Sequence, residues 1–256
     1  MEADLQKSLA GLPLGGIRYL ESTGSTNDIA LAWAAEGAPD FSLVLADEQT
    51  AGRGRMARKW LTLPGAALAL SVILRPSALE RENIGLFAGL GSLALVDALK
   101  NYGVQAQIKW PNDVLVSGKK LAGVLVETSW MGAEVESLVL GMGINVYPAA
   151  IPPETELNFP ATCVQSEMQN PLERFDLLRA LLVALIKWRP RLGTENFLSD
   201  WQASLAFCGE TVQVWQAEAQ PLLGVVEGLA TDGSLRLRVG SARRIIRFGE
   251  IHLRPL

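Results

Sequence analysis

The sequence predicts an α/β body followed by a small all-β module, and two observations carry that reading. Up to about residue 206, apolar strand-like runs alternate with segments of helical period. From Cys208 onward only short alternating strands remain. The length of 256 residues suits one substantial domain with an appendage. The expected boundary therefore divides residues 1–206 from residues 207–256.

The elements follow in order. Ile17–Glu21 reads as a strand, and Thr26 is placed to cap a helix that ends near Gly37. Phe41–Asp47 and Ala67–Leu74 read as buried strands with a basic loop between them. Glu82–Asn101 has helical length and period through Ile84, Phe87, Leu90 and Leu95. Strands are expected at Ala106–Trp110, Leu121–Thr128 and Val135–Gly141. A second long helix is predicted from Asn170 as N-cap, with Pro171 first and Glu173 completing a capping box. Its apolar face is Leu178, Leu181, Leu182 and Leu185, and Pro190 stops it. A shorter helix covers Glu195–Ala206. The tail reads TVQVW, GVVEGL, SLRLRV, RRIIRF and EIHLR, with Asp232-Gly233 as a hairpin turn.

Composition removes several function classes. Apolar residues make up 49% and charged residues 20%, a globular balance. A net charge of −4 argues against a general nucleic-acid coat. One histidine, His252, excludes His-rich zinc sites and confines any histidine triad to the C-terminus. Cys163 and Cys208 are too few and too far apart for a disulfide framework, so a reducing, cytoplasmic setting is expected. The first residues carry acids and no apolar h-region, and no uncharged run is long enough for a membrane span.

Charge is unevenly spread. Residues 1–48 hold eight acids against Lys7 and Arg18. Residues 49–75 hold Arg53, Arg55, Arg58, Lys59 and Arg75 and no acid. Guanidinium groups gathered in a glycine-containing loop suit an anionic ligand, although a solvated basic loop has the same composition.

Four local signals carry chemistry. The run Gly52-Arg53-Gly54-Arg55-Met56-Ala57-Arg58-Lys59-Trp60 offers close backbone approach and bidentate donors for carboxylate or phosphate. It is neither a Walker loop nor a dinucleotide fingerprint. Lys109-Trp110-Pro111-Asn112-Asp113 puts Asn112 and Asp113 in a turn leaving a strand. There Asp113 could hold magnesium beside phosphates, or the turn could simply bond its own backbone. Lys119-Lys120 precedes an apolar strand, where a lysine can supply a point charge or lie solvated in a hairpin; Gly123 suggests close ligand approach. Gly141-Met142-Gly143-Ile144-Asn145 closes a strand with a polar end.

In this order the pieces resemble the biotin protein ligases. The shared features are Ser25-Thr26-Asn27 at a helix start, Gln49 ahead of GRGRxxRxW, then KWPNDV, KKLAGVLVE and GxGINV. The tail, with GVVEGLATDGSLRL, is similar to that family's SH3-like cap. The resemblance spans about residues 17–254. It implies a mixed sheet with flanking helices, of the class II synthetase-like kind, plus a small C-terminal barrel.

It also implies an activity. ATP and biotin would give biotinyl-5′-AMP, and biotin would then pass to a lysine of a biotin carboxyl carrier protein, that of acetyl-CoA carboxylase or a related carboxylase. Ser25, Thr26, Asn27 and Gln49 match ring-binding positions, while Gly52, Arg53 and Gly54 match the loop that wraps the ligand, with Arg53 offering its backbone. Arg55 matches a carboxylate and α-phosphate contact, and Arg58 and Trp60 match nucleotide contacts. Lys109, Asn112 and Asp113 match phosphate and Mg2+ positions. Lys120 matches the catalytic lysine, Gly123 lines the biotin pocket, Gly143 and Asn145 face the adenylate, and Arg254 matches the nucleotide side. Relatives commonly carry glycine at position 57, where this chain has alanine, so a positive φ there would strain the loop.

Lipoate ligases share the fold and acyl-adenylate logic, but the GRGRxxRxW and KWPND pair favours biotin. A biotin-responsive regulator without ligase activity is a second reading, and an inert scaffold with an interaction tail is a third. Only 24 residues precede Ser25, too few for a helix-turn-helix domain, so no DNA partner is expected. A homodimer is compatible with the family, but no residue compels one.

Overall fold

The structure is a computed structural model. It describes all residues except 1, 61, 154, 156, 158, 217–219, 248–250 and 256, and it leaves the side chains of 57, 216 and 251–255 undescribed.

Helix α1 (Glu2–Leu9) leads into β1 (Gly16–Thr23), α2 (Thr26–Ala35), β2 (Ser42–Gln49) and β3 (Ala67–Leu74). Then follow α3 (Ala78–Arg81), α4 (Phe87–Lys100), β4 (Ala106–Lys109), β5 (Asp113–Val116), β6 (Lys119–Met131) and β7 (Glu134–Asn145). Helices α5 (Arg174–Trp188) and α6 (Glu195–Ala203) precede β8 (Thr211–Gln216), β9 (Leu222–Leu229), β10 (Leu235–Val239), β11 (Ala242–Ile246) and β12 (Ile251–Pro255).

Strands β1 to β7 form one mixed sheet in the order β1-β2-β3-β7-β6-β5-β4. Its β1–β2 pair is parallel and the other neighbours are antiparallel. Strands β8 to β12 form a second, antiparallel sheet in the order β11-β10-β9-β8-β12. This second sheet is the small all-β module that the tail pattern predicts, and it fits the SH3-like cap that the resemblance implies.

Period-two alternation explains how the large sheet makes both a core and a site. Leu68, Leu70, Val72 and Leu74 of β3 join Leu138, Leu140, Met142 and Ile144 of β7 in the main core with α4 and α5. On the opposite face α2 covers Val44, Ile73 and Val139 through Ala30 and Ala34. Farther along that face the strands carry Ser71, Gly141 and Gly143, and the missing bulk leaves a hollow.

Five sequence expectations need correction. Ser25, and not Thr26, is the N-cap of α2; Thr26 is the first helical residue. Glu82–Asn101 is not one helix, because α3 and a 3-10 turn at Ile84–Leu86 precede α4. Strand β5 went unread, and Asp113 begins it, so only Asn112 of the pair stays in the turn. Helix α5 starts after Glu173, not after Asn170; the Gln165 side chain accepts from Leu172 N–H, which keeps the chain ahead of Glu173 out of the helix. Helix α6 ends at Ala203, and Leu205 then pairs in parallel with Ile108.

The second sheet is tied to the loop after β4 and to α6 beside the site. Trp110 Nε1 donates to the Gly233 carbonyl at 2.9 Å, and Leu229 N–H donates to Gln202 Oε1 at 3.1 Å. Gly233 (φ 78°) has no room for a Cβ against Leu86 and Trp201, so the Asp232-Gly233 turn fits only as glycine.

Candidate active site

A cavity of about 530 Å3 opens on the small-residue face of the large sheet. Sixteen of the residues singled out in the sequence line it: Ser25, Thr26, Asn27, Gln49, Arg53, Gly54, Arg55, Arg58, Trp60, Lys109, Asn112, Asp113, Lys120, Gly123, Gly143 and Asn145. Gly52 is buried behind this wall, where a Cβ would strike the Trp60 carbonyl and Gln49. Arg254 lies in β12, opposite Gln213, and its side chain is outside the described residues.

Sheet register assembles the cavity floor. Ala69 faces Gly143, Gly143 faces Gly123, Gly123 faces Asp113, and Asp113 faces Lys109. Directly opposed residues project to one face, so this rung runs from apolar to ionic across five strands. A bulge between Val114 and Leu115 shifts the β5–β6 pairing, so that Leu121 and Ala122 both enter the core. The same shift brings Lys120 onto the cavity face, a usual effect of a bulge beside a site. The Lys120 backbone is pinned by Pro160 and Thr162.

The ionic end is compact. Lys120 Nζ lies 2.6 Å from Asp113 Oδ1, and Lys109 Nζ lies 3.6 Å from Oδ2. Burial pushes the Asp113 carboxyl up, but Lys120 and then Lys109 more than offset this and hold it below the ordinary carboxylate range. Burial pulls Lys109 down, with Asp113 opposing. Arg55 is likewise lowered, chiefly by burial, and its Nη1 donates to Asn112 Oδ1 at 3.2 Å. The Asn112 amide donates onward to Val124 O at 2.8 Å.

The opposite end is neutral and polar. Gln49 Oε1 accepts from Thr26 N–H at 2.8 Å and from its hydroxyl at 3.0 Å. The Ser71 hydroxyl is within reach of Thr26 Oγ1 and Asn27 Oδ1, at 2.8 and 2.6 Å. Ser25 makes no side-chain capping bond to α2.

The basic loop folds over the cavity as a narrow turn. Gly54 N–H donates to Arg58 O, and Trp60 N–H donates to Gly52 O. Its left-handed residue is Met56 (φ 57°, ψ 41°), so the strain expected at Ala57 falls one residue earlier. The Trp60 ring sits directly on Gly143, where any Cβ would collide with it, and its Nε1 is buried without a hydrogen-bond partner.

Sequence reasoning missed several residues. Phe159 packs its ring 4.3 Å from Lys109 Nζ. Ser71 and Gly141 complete the polar end. No local motif marks Phe159 or Ser71, and Gly141 stood in the GxGIN signal without a role; their roles come from register and from a returning segment.

Among the described residues no group of three or more His, Cys, Asp or Glu is placed to hold a metal. Among the described residues lining the cavity Asp113 is the one carboxylate, and two ammonium groups already face it. Such a donor set fits a magnesium ion held mainly by phosphate oxygens and water, with one protein carboxylate added.

A cavity with a neutral hydrogen-bonding end and a cationic end suits a small ligand joined to a phosphate-bearing one, and comparison with known proteins gives the same direction. The profile described as "Biotin/lipoate A/B protein ligase family" matches residues 19–145. A biotin–[acetyl-CoA-carboxylase] ligase of Paracoccus denitrificans is 35% identical over 249 residues, 91% of this chain and 98% of that protein. The corresponding ligase of Mycobacterium tuberculosis is 31% identical over 263 residues, 99% of this chain and 96% of that one. The structure of a biotin protein ligase from Aquifex aeolicus, in complex with biotin and ATP, superposes with a TM-score of 0.82 at 27% identity, covering 94% of this chain and 99% of that one. Full-length likeness at this level, with the predicted motifs gathered around one cavity, makes this chain a member of the biotin protein ligase family.

Proposed function

We propose that this chain activates biotin with ATP to biotinyl-5′-AMP and transfers biotin to a lysine of a biotin carboxyl carrier protein. The observation that carries this reading is the convergence of Lys109, Lys120, Arg55 and Arg58 at one end of a cavity whose other end is neutral and polar.

In the first step a biotin carboxylate oxygen attacks the α-phosphorus, and pyrophosphate leaves. Two anions must approach, so the protein's task is orientation and charge neutralisation. Lys120 bridges carboxylate and α-phosphate, and Asp113, 2.6 Å away, keeps that ammonium aimed. Arg55 meets the developing charge from the loop, while Lys109, Asn112 and Arg58 hold the remaining phosphates. Asp113 would hold the magnesium ion that accompanies ATP, which would supply further neutralisation of phosphate charge. Ser25, Thr26, Asn27, Gln49 and Gly123 seat the biotin rings, Gly52, Arg53 and Gly54 wrap the ligand, and Trp60, Gly143, Asn145 and Arg254 serve the adenylate. In the second step the carrier's lysine amine attacks the acyl carbon, and AMP leaves with its electron pair. A free carboxylate resists amide formation, and the adenylate supplies the leaving group.

Residues 1–206 form the catalytic unit in this reading, and residues 207–256 the SH3-like module that braces it. The carrier is that of acetyl-CoA carboxylase or a related carboxylase. Both cysteines are free, which supports a cytoplasmic site of action, and among the described residues no helix is long and apolar enough to cross a membrane. A net charge of −4 supports the absence of a DNA partner. A homodimer stays compatible, through the edge of β1 that has no neighbour within the sheet.

The test is biotin-dependent pyrophosphate release from ATP, followed by biotin labelling of a carrier domain. Release with lipoate instead of biotin would favour the lipoate-type reading. Biotin binding without release would leave a regulatory protein.

A further inference from the structure

Two carboxylates outside the proposed machinery converge on one group of the basic loop. Arg53 Nη1 donates to Asp28 Oδ2 at 2.8 Å, and Nη2 donates to Asp28 Oδ1 at 2.5 Å. The same Nη2 lies 3.2 and 3.1 Å from the two Glu127 oxygens. Asp28 sits in the first turn of α2 and Glu127 in the middle of β6, so the guanidinium joins the loop to both walls of the cavity.

Glu127 has a second task. Its Oε2 accepts from Asn27 Nδ2 at 2.6 Å, and Asn27 Oδ1 in turn faces the Ser71 hydroxyl. The Asn27 side chain lies flat on Gly141, where a Cβ would collide with its amide oxygen. Glu127 thus touches the loop with one edge and a residue of the neutral pocket with the other.

Resting on the ligase reading above, we propose that Asp28 and Glu127 are positioning residues: they latch the basic loop over the cavity by gripping Arg53, and Glu127 ties that latch to Asn27 in the biotin-ring end. Gly52 and Gly54 flank Arg53, so its side chain can turn to the walls while its backbone stays over the ligand. The latch is releasable because it is wet: the side chains of Arg53, Asp28 and Glu127 are 31%, 59% and 28% exposed. Seating of a ring against Asn27 orders Glu127, which in turn presents an ordered acceptor to the loop. Retention of the reactive adenylate would then depend on two residues that need not touch it.

The experiment measures the rate at which preformed biotinyl-adenylate leaves the protein, in wild type, Asp28→Asn, Glu127→Gln, Arg53→Gln and Arg53→Gln with Asp28→Asn. Each single variant should release it about fivefold faster, the scale of a partly exposed charge pair. Biotin affinity without ATP should stay within about twofold for Asp28→Asn, because that side chain touches only the loop. Adding Asp28→Asn to Arg53→Gln should change nothing more, since the shared partner is gone. Unchanged release in both carboxylate variants would overturn the latch, as would a full further acceleration in the Arg53→Gln background. Trypsin supplies a readout that does not depend on the ligase reading: in the ligand-free protein, cleavage between residues 53 and 59 should be faster in Asp28→Asn than in wild type. If wild type forms no adenylate, the ligase reading fails and the trypsin comparison alone decides the latch; equal cleavage overturns it.

Discussion

Two ion clusters flank the same cavity, and they are built on different terms. Lys109, Asp113 and Lys120 sit on three neighbouring strands with side-chain exposures of 12%, 13% and 26%. Arg53, Asp28 and Glu127 join a loop to a helix and a strand at 31%, 59% and 28%. In the first cluster the backbone positions are set by ladder hydrogen bonds, so the charges are fixed before any ligand enters, and low hydration makes them strong. In the second, water competes for every partner, so the same chemistry gives a contact that forms and breaks cheaply. Fixed charge serves a bond-making step, and releasable charge serves entry and exit.

That contrast breaks most sharply at Lys120. Lys120→Ala should lower the rate of pyrophosphate release by roughly 10²–10³, the scale for losing one preorganised charge-stabilising donor. Biotin affinity measured without ATP should stay within a few-fold, and Lys119→Ala should stay within severalfold of wild type in both assays. Pyrophosphate release at near wild-type rate in Lys120→Ala would end the catalytic assignment.

Asp113→Asn probes the stability side of the fixed cluster. It leaves two poorly hydrated ammonium groups facing a neutral amide and should cost roughly 3 kcal/mol in urea unfolding, the low end for breaking a buried pair. The folded carboxyl is held below its unfolded value, so its stabilisation is complete above the ordinary carboxylate range and is lost as pH falls through the depressed folded value. Wild type should therefore lose stability on acidification below about pH 4 more steeply than Asp113→Asn. Equal slopes would show that the cluster adds nothing to stability.

A smaller effect is expected where the second sheet meets the fixed cluster. Trp110→Phe removes the bond to Gly233 and leaves a small cavity where the buried indole lay, for about 2–3 kcal/mol of stability. Because Trp110 stands two residues before Asn112, pyrophosphate release should slow severalfold with little change in biotin affinity. A loss of stability with an unchanged release rate would show the second sheet to be a passive neighbour.

The smallest effect belongs to the releasable cluster. Trypsin should cut between Arg53 and Lys59 more slowly when biotin, ATP and magnesium are present, because anions add partners for Arg55 and Arg58. Repulsion among the four basic groups is not the whole balance in the ligand-free loop, since Arg53 is already met by two carboxylates. The protection should therefore be severalfold. Equal cutting rates would remove the closing role from the loop and the ligand contacts from Arg55 and Arg58.

Much of this protein is determined locally and can be read in the chain. The apolar run Ala67–Leu74 marks a buried strand, and Asp232-Gly233 marks the β9–β10 hairpin, because side-chain pattern and φ preference act within a few residues. The basic loop, the Lys109–Asp113 run and Lys120 were visible for the same reason, since each gathers its charge in one short run, although Asp113 opens a strand and not a turn. Helix limits were less legible where a distant partner competed. Leu172 N–H turns to the Gln165 side chain, which outweighs the capping signal at Asn170. What only the tertiary structure decided is pairing across register. The β5–β6 bulge decides that Lys120 faces Asp113, and Arg53 meets Glu127 across 74 residues. Phe159 reaches Lys109 from a segment with no motif of its own. A one-residue slip in any of these strands would turn every such partner to the opposite face, and that register is set by the packing of the whole sheet on α2, α4 and α5.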